Sequence, residues 1–265
     1  MKTELQRHFE TMDPVLASIV AVAAPYPPND RSYTSAFEAL AHSIASQQIS
    51  WVVARKIIER LRAMHGDRFP TPAELAAAAP AALRAVGFSF AKVAALQDLA
   101  AHVLDGRLPD DETLRALDDE SVIERCVAVR GVGRWTVQML LMFHFDRHDV
   151  MPADDFGVRK GFQLAYGLRG MPKPRALLAY AERWKPHRSA GAWYMWRALE
   201  LHQQGGLPKR EGRAPRIEIE RPKPAQVNKR SSKRSRPAAK VRAKLKAKRT
   251  ASRRAPQRPR RSRRG

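Results

Sequence analysis

Two short segments of this 265-residue chain carry the residue types from which chemistry could be built. In Met151-Pro152-Ala153-Asp154-Asp155-Phe156-Gly157-Val158-Arg159-Lys160, paired carboxylates follow a proline-bearing loop and open a helical run. Acids so placed ordinarily cap the helix, because the amides of its first turn have no partner within it; Asp154 is the expected cap. Upstream, Val129-Arg130-Gly131-Val132-Gly133-Arg134-Trp135-Thr136-Val137-Gln138-Met139 sets two glycines around a small apolar residue between two helical runs. Glycines allow a tight turn that leaves the amides of the next helix facing outward, which suits a phosphate. On its own the segment reads equally well as an ordinary helix–helix turn. The lone cysteine, Cys126, excludes an intramolecular disulfide and any four-cysteine zinc or iron–sulfur site, and points to a reducing compartment. The eight histidines show no metal-ligand spacing on a helix face, so no metal site built from side chains is expected.

The elements that must position these residues are helical. Phe37, Leu40, Ala41, Ile44, Ala45 and Gln48 fall on one face of a helix running from about residue 33. Thr71-Pro72-Ala73-Glu74 is a capping box with proline at the first helical position. Further helices are predicted over 14–24, 52–64, 91–104, 120–128, 135–145, 154–166, 174–184 and 189–203, and no stretch shows sustained strand alternation. The fold class is therefore all-α with short connections. Two of these helical runs, 120–128 and 135–145, flank the glycine turn, and there is apolar residue enough (44%) for one good core or two small subdomains.

Charge divides the chain. The net charge is +23, but residues 207–265 hold 24 of the 49 Lys and Arg against 3 of the 26 acids, so residues 1–206 are nearly neutral. This tail has seven prolines and no aromatic residue, and cannot bury enough apolar surface to offset the entropy of ordering. The expected organisation is a helical domain over 1–206 and a disordered basic tail over 207–265. Such a tail releases counterions from a polyanion, giving sequence-blind, salt-sensitive affinity, with nucleic acid favoured over membrane. The apolar stretches at 15–24 and 137–143 are too short to span a bilayer, and the first residues have no apolar leader. A soluble, intracellular chain is expected.

A glycine hairpin followed, one helix and a loop later, by Pro-x-Asp-Asp resembles the helix-hairpin-helix, Gly/Pro/Asp superfamily of DNA glycosylases. Trp184-Lys185-Pro186-His187-Arg188-Ser189 with Trp193, Tyr194, Trp196 and Arg197 is similar to the final helix of its 3-methyladenine DNA glycosylase II family. Ala36-Phe37-Glu38-Ala39-Leu40, Gln47-Gln48-Ile49-Ser50 and Val86-Gly87-Phe88-Ser89-Phe90-Ala91-Lys92 match in order, so the resemblance spans roughly residues 33–202.

The resemblance implies a helix-hairpin-helix near 120–146 and two small helical subdomains flanking an active-site cleft, with Asp155 as the catalytic carboxylate. It assigns Gly131, Val132, Gly133, Arg134 and Thr136 to a DNA-phosphate hairpin whose backbone carbonyls also hold a monovalent cation. It places Trp135 and Trp196 around the base pocket, with Met139 where some relatives have another aromatic and Gln48 lining it. Phe90, or Phe88 if the loop is shifted, becomes the wedge filling the gap left by an extruded base, and Lys92 a DNA contact. Relatives that also cut the backbone carry a Lys two residues after the second hairpin glycine; that residue here is Trp135, so the implied enzyme is monofunctional. Its substrate would be alkylated purines in double-stranded DNA, its state monomeric, its organic cofactor none, and its place the cytoplasm, on the nucleoid.

These roles are physically coherent. Cleaving an N-glycosidic bond develops positive charge on the sugar, which a nearby carboxylate stabilises. A purine made cationic by alkylation is already a good leaving group and is held over a Trp face by about 0.5–2 kcal/mol. Each role has a competitor: helical Trp residues usually pack in the core, Phe90 reads equally as wedge or core, Gln47 and Gln48 as pocket lining or helix caps, and Arg188 as a structural ion pair. The competing functions are a glycosylase for deaminated or oxidised bases and a non-catalytic nucleoid-binding protein, which would need neither Asp155 nor the two tryptophans.

Overall fold

The computed structural model describes residues 3–26, 33–210 and 213–220. These residues form α1 (Glu4–Met12), α2 (Pro14–Val20), α3 (Ala36–Ser46), α4 (Trp51–Ala63), α5 (Pro72–Ala77), α6 (Pro80–Val86), α7 (Phe90–Leu104), α8 (Asp111–Ala116), α9 (Asp119–Val127), α10 (Arg134–Phe143), α11 (Phe156–Ala165), α12 (Pro174–Ala181) and α13 (Arg188–Gln203). A 3-10 turn, Glu182–Trp184, links the last two. There is no strand among the described residues; one antiparallel bridge joins Pro172 to Ile219.

Local sequence explains most helix starts. Ser35, Ser50, Ser89, Asp110 and Asp118 each accept the third amide of the helix they precede, and Thr71 with Glu74 forms the expected capping box. Each such cap is worth about 1 kcal/mol. Helices α1, α6 and α8 have no counterpart in the predicted set. Helix α1 buries only Phe9 and α8 only Leu114, while α6 is seven residues long, so none repeats an apolar position often enough to register as a period.

The helices pack as two groups. In one, α3 sits against α4, α7 and α10, with α5 and α6 on α7 and α9 on α10; in the other, α13 packs on α2 and α11, with α1 and the 3-10 turn beside them. The first buries Leu40, Ile44, Leu61, Leu75, Leu83 and Leu96, the second Leu16, Ile19, Phe162, Tyr166, Trp184 and Met195. Each buried side chain contributes roughly 1.5–3 kcal/mol. The second group is pinned by Asp13, which accepts Leu16 N–H (3.3 Å), Tyr166 O–H (2.7 Å) and Trp184 Nε1–H (2.8 Å). Its closest approach is at Gly161, where a Cβ would stand 1.8 Å from the Met195 carbonyl oxygen.

The expected boundary after residue 206 is corrected. Lys173 N–H donates to Glu218 O (2.9 Å), Glu220 N–H to Met171 O (2.8 Å), and Arg159 pairs with Glu220. Leu207 and Ile217 pack on the core. Average composition of the tail hid this segment, which carries its two isoleucines in alternation with polar residues over Arg216-Ile217-Glu218-Ile219-Glu220. The tail from residue 221 onward lies outside the described residues.

Candidate active site

Asp155 stands at the N-terminus of α11 and is itself the cap. Its Oδ1 accepts Val158 N–H (2.7 Å) and Trp196 Nε1–H (2.8 Å), and its Oδ2 accepts Trp135 Nε1–H (2.8 Å). The capping role expected of Asp154 therefore belongs to Asp155, while Asp154 is exposed in a separate crevice with Arg134 and Arg188. Turn hydrogen bonds from Ala153 N–H to Met151 O (2.9 Å) and Asp155 N–H to Pro152 O (3.0 Å) set this register. Trp135 comes from α10 in one helix group and Trp196 from α13 in the other, so the carboxylate is clamped between the two. Gly157 makes room for the clamp, since a Cβ there would lie 2.7 Å from Trp196 Cδ1.

Beyond Trp135 lies a cavity of about 440 Å³ lined by Tyr33, His42, Ser43, Ser46, Gln47 and Gln48. Trp135 is 49% exposed and thus not a core residue. Burial pushes the His42 imidazole down to about 4, so at neutral pH the wall opposite Trp135 is polar and uncharged, and a cationic ring entering it meets no like charge. Gln48 is exposed, held at φ +58°. Trp196 and Met139 do not line this cavity. Trp196 is half-buried beside Phe143, with ring centroids 6.0 Å apart, and reaches the site through its N–H rather than an open face; Met139 packs against the core. This cavity opens toward α3 rather than α13, so the place of Trp196 and Met139 around a base pocket stays an implication of the resemblance.

The hairpin has the expected form. Gly131 adopts φ +78°, Gly133 caps α10 without a side-chain hydrogen bond, and Val132 is buried beneath them. The amides of Arg134, Trp135 and Thr136 thus begin α10 without a side-chain acceptor, a geometry that binds phosphate oxygens. Two side chains fix the turn: Asp98 Oδ2 accepts Arg130 N–H (2.7 Å), and Gln47 Nε2–H donates to Gly131 O (2.7 Å). Neither was apparent in the sequence. Asp98 lies mid-helix with no local signal, and Gln47 was legible only as one of a Gln pair.

Several expected DNA contacts are placed differently. The Arg134 guanidinium forms a two-pronged ion pair with Glu120 (one contact at 2.8 Å) and the Thr136 side chain is buried, leaving both residues their amides. The Lys92 Nζ donates to Ala45 O near the end of α3 (2.7 Å), and burial lowers its pKa. Arg188 has the structural role, pairing with Asp149 at 2.8 and 3.0 Å. Phe88 is fully buried, whereas Phe90 is 75% exposed with the Arg84 guanidinium 4.1 Å over its ring. Phe90 rather than Phe88 is therefore the ring that can be proposed as the wedge. Phe90→Ala is expected to slow excision about tenfold with the melting temperature unchanged, since an inserted ring offsets a few kcal/mol of unstacking; an unaltered rate measured at enzyme excess would return Phe90 to the plain surface.

No cluster of three or more His, Cys, Asp or Glu suited to a metal occurs among the described residues. Of the hairpin carbonyls, Gly131 O accepts Gln47 Nε2–H and Val129 O accepts Val132 N–H (3.1 Å), and each oxygen has a second lone pair; the monovalent cation stays an implication of the resemblance.

Comparison with known proteins accords with this arrangement. Residues 41–187 match the model of the HhH-GPD superfamily of base excision DNA repair proteins. The chain is 34% identical over 201 residues to DNA-3-methyladenine glycosylase 1 of Schizosaccharomyces pombe, covering 75% of this chain and 88% of that one. It is 34% identical over 170 residues to Escherichia coli DNA-3-methyladenine glycosylase 2, covering 61% and 57%. Among solved structures, the S. pombe 3-methyladenine DNA glycosylase in complex with abasic DNA superposes with a TM-score of 0.68 at 35% identity, covering 75% of this chain and 98% of that one. A DNA-3-methyladenine glycosidase from Bacillus halodurans gives 0.67 at 28%, covering 77% and 92%. With its glycine hairpin, its clamped aspartate and these matches, the chain belongs to the HhH-GPD superfamily of base excision DNA repair proteins, alongside the 3-methyladenine DNA glycosylases.

Proposed function

We propose that this chain is a monofunctional glycosylase that hydrolyses the N-glycosidic bond of alkylated purines, of the 3-methyladenine and 7-methylguanine type, in double-stranded DNA. The observation that carries it is the Asp155 carboxylate held by two indole N–H groups, one of whose rings walls a cavity large enough for a purine. The damaged nucleotide flips out at a cost of a few kcal/mol, with a backbone phosphate on the hairpin amides and the cationic base against Trp135. As the bond to C1′ breaks, the base takes the bonding pair and leaves neutral, so no proton has to reach it. Asp155 stabilises the positive sugar and orients the water whose oxygen bonds C1′, and the released proton passes to solvent. Trp135 offers no amine, so no Schiff base forms and the strand stays intact.

The test is release of free base from methylated duplex DNA, with nicking scored before and after alkali. Free 3-methyladenine or 7-methylguanine and strands uncut until alkali are expected. A lesion panel yielding only deaminated or oxidised bases would reassign the substrate, and release of no base at all would sink the enzymatic reading.

Within this reading the protein acts as a monomer on nucleoid DNA, and its C-terminal basic segment raises general affinity. Removing residues 221–265 is expected to leave base release at low salt within about twofold and to flatten the dependence of log K on log salt, by about 0.9 for each Lys or Arg that engages a phosphate. An unchanged salt slope in a filter-binding titration would strip the segment of that role.

A further inference from the structure

The aromatic residues that stay exposed, Tyr33, Trp51, Phe90, Trp135 and Phe156, share one placement: each lies at or just before the start of a helix, α3, α4, α7, α10 and α11 respectively. Hydrogen bonds link several of the segments around these starts. Gln47, just before α4, bonds Gly131 ahead of α10; Lys92 of α7 bonds Ala45 near the end of α3; and Trp135 of α10 bonds Asp155 at the head of α11. Tyr33 lines one cavity with Trp135 and another with Trp51, so these three rings share the face that carries the active site. Three have roles in the reading above: Trp135 and Tyr33 in the cavity wall and Phe90 as wedge.

Trp51 does not. It is 69% exposed, and burial of apolar surface cannot explain an indole left this open next to the likewise exposed Val52 and Val53. Arg55, one turn on, holds its guanidinium carbon 5.0 Å from the centre of the Trp51 ring. Both line a groove of about 380 Å³ that shares Tyr33, His42 and Ser46 with the base cavity. A flat ring braced by a guanidinium beside a groove continuous with the DNA face has the chemistry of a nucleobase platform, because every base presents a π-face and every nucleotide a phosphate.

We propose that Trp51 and Arg55 form a second stacking site, outside the Asp155 pocket, for a base of the bound duplex that loses its partner when the damaged nucleotide is extruded. The proposal rests on the glycosylase reading, and the duplex with an abasic site is the natural probe because it contains such an unpartnered base. Binding of the full chain to abasic and to intact duplexes of the same sequence would be compared for wild type, Trp51→Ala and Trp51→Phe. The platform predicts that Trp51→Ala weakens binding to abasic DNA about tenfold, leaves intact duplex within about twofold, and is largely rescued by Trp51→Phe. Circular dichroism and melting temperature should be unchanged, since the indole is open to solvent. A 2-aminopurine placed opposite the abasic site should be quenched by wild type and less so by Trp51→Ala.

If wild type prefers abasic DNA and Trp51→Ala shows the same preference and the same quenching, the platform is overturned while the glycosylase reading stands. If wild type itself shows no preference for abasic over intact duplex, both fall. A concentration-dependent dimer in sedimentation that Trp51→Ala abolishes would give the surface to a second copy of the chain and overturn the proposal in another way.

Discussion

Replacing Asp155 by Asn is expected to lower single-turnover release of alkylated purine by about a thousandfold, equivalent to about 4 kcal/mol of transition-state stabilisation. The substitution keeps shape and leaves one oxygen able to cap α11, but it removes the charge that faces the developing cation at the sugar. It also makes one of the two terminal atoms an NH₂ group. Both oxygens presently accept an indole N–H, so in either orientation of the amide a donor opposes a donor and the clamp opens on one side. Affinity for abasic DNA should stay within a few-fold, because the hairpin amides are untouched. Asn is a cleaner probe than Ala, which would also cost about 1 kcal/mol of helix capping. Loss of binding in parallel with loss of rate would mean that Asp155 acts chiefly as a structural cap, and a rate within tenfold of wild type would remove it from the chemistry altogether.

Gly161→Ala is expected to destabilise the protein by about 3 kcal/mol, at the upper end of what overpacking costs. The added carbon would sit 1.8 Å from the Met195 carbonyl oxygen and 2.6 Å from its carbon, and neither belongs to a side chain that can rotate away. Relief requires α11 to move off α13 by an ångström or more. That displacement carries Asp155 at the head of α11 away from Trp196 on α13, so activity should fall even below the melting transition. Chemical denaturation with excision measured on the residual folded protein tests both parts. A melting curve within a degree of wild type would show the interface more compliant than a helix–helix contact at this spacing allows.

The amino-acid sequence by itself determined what is decided within a few residues. Hydroxyl and carboxylate caps one position ahead of helical runs set where α3, α4, α5, α7 and α9 begin. Two glycines around Val132 set the hairpin, and the Pro-x-Asp-Asp loop set a carboxylate at the head of a helix. Resemblance through those motifs pointed to Asp155 and to the two tryptophans. Helices of one or two turns escaped because two buried residues do not make a period, and the packed stretch around Ile217 and Ile219 escaped because the surrounding basic residues dominate any average.

Tertiary structure alone decided how those parts are used. It turned Asp155, not Asp154, toward the amides of α11, and gave Trp196 a hydrogen bond to that carboxylate. It turned Lys92 inward to Ala45 O and buried Thr136, and brought Gln47 and Asp98 to the hairpin from 84 and 32 residues away. The physical reason is common to all of these: a side chain's partner is set by which helices touch, and helices touch where apolar faces and glycine gaps such as Gly161 allow, at separations over which sequence spacing carries no geometry.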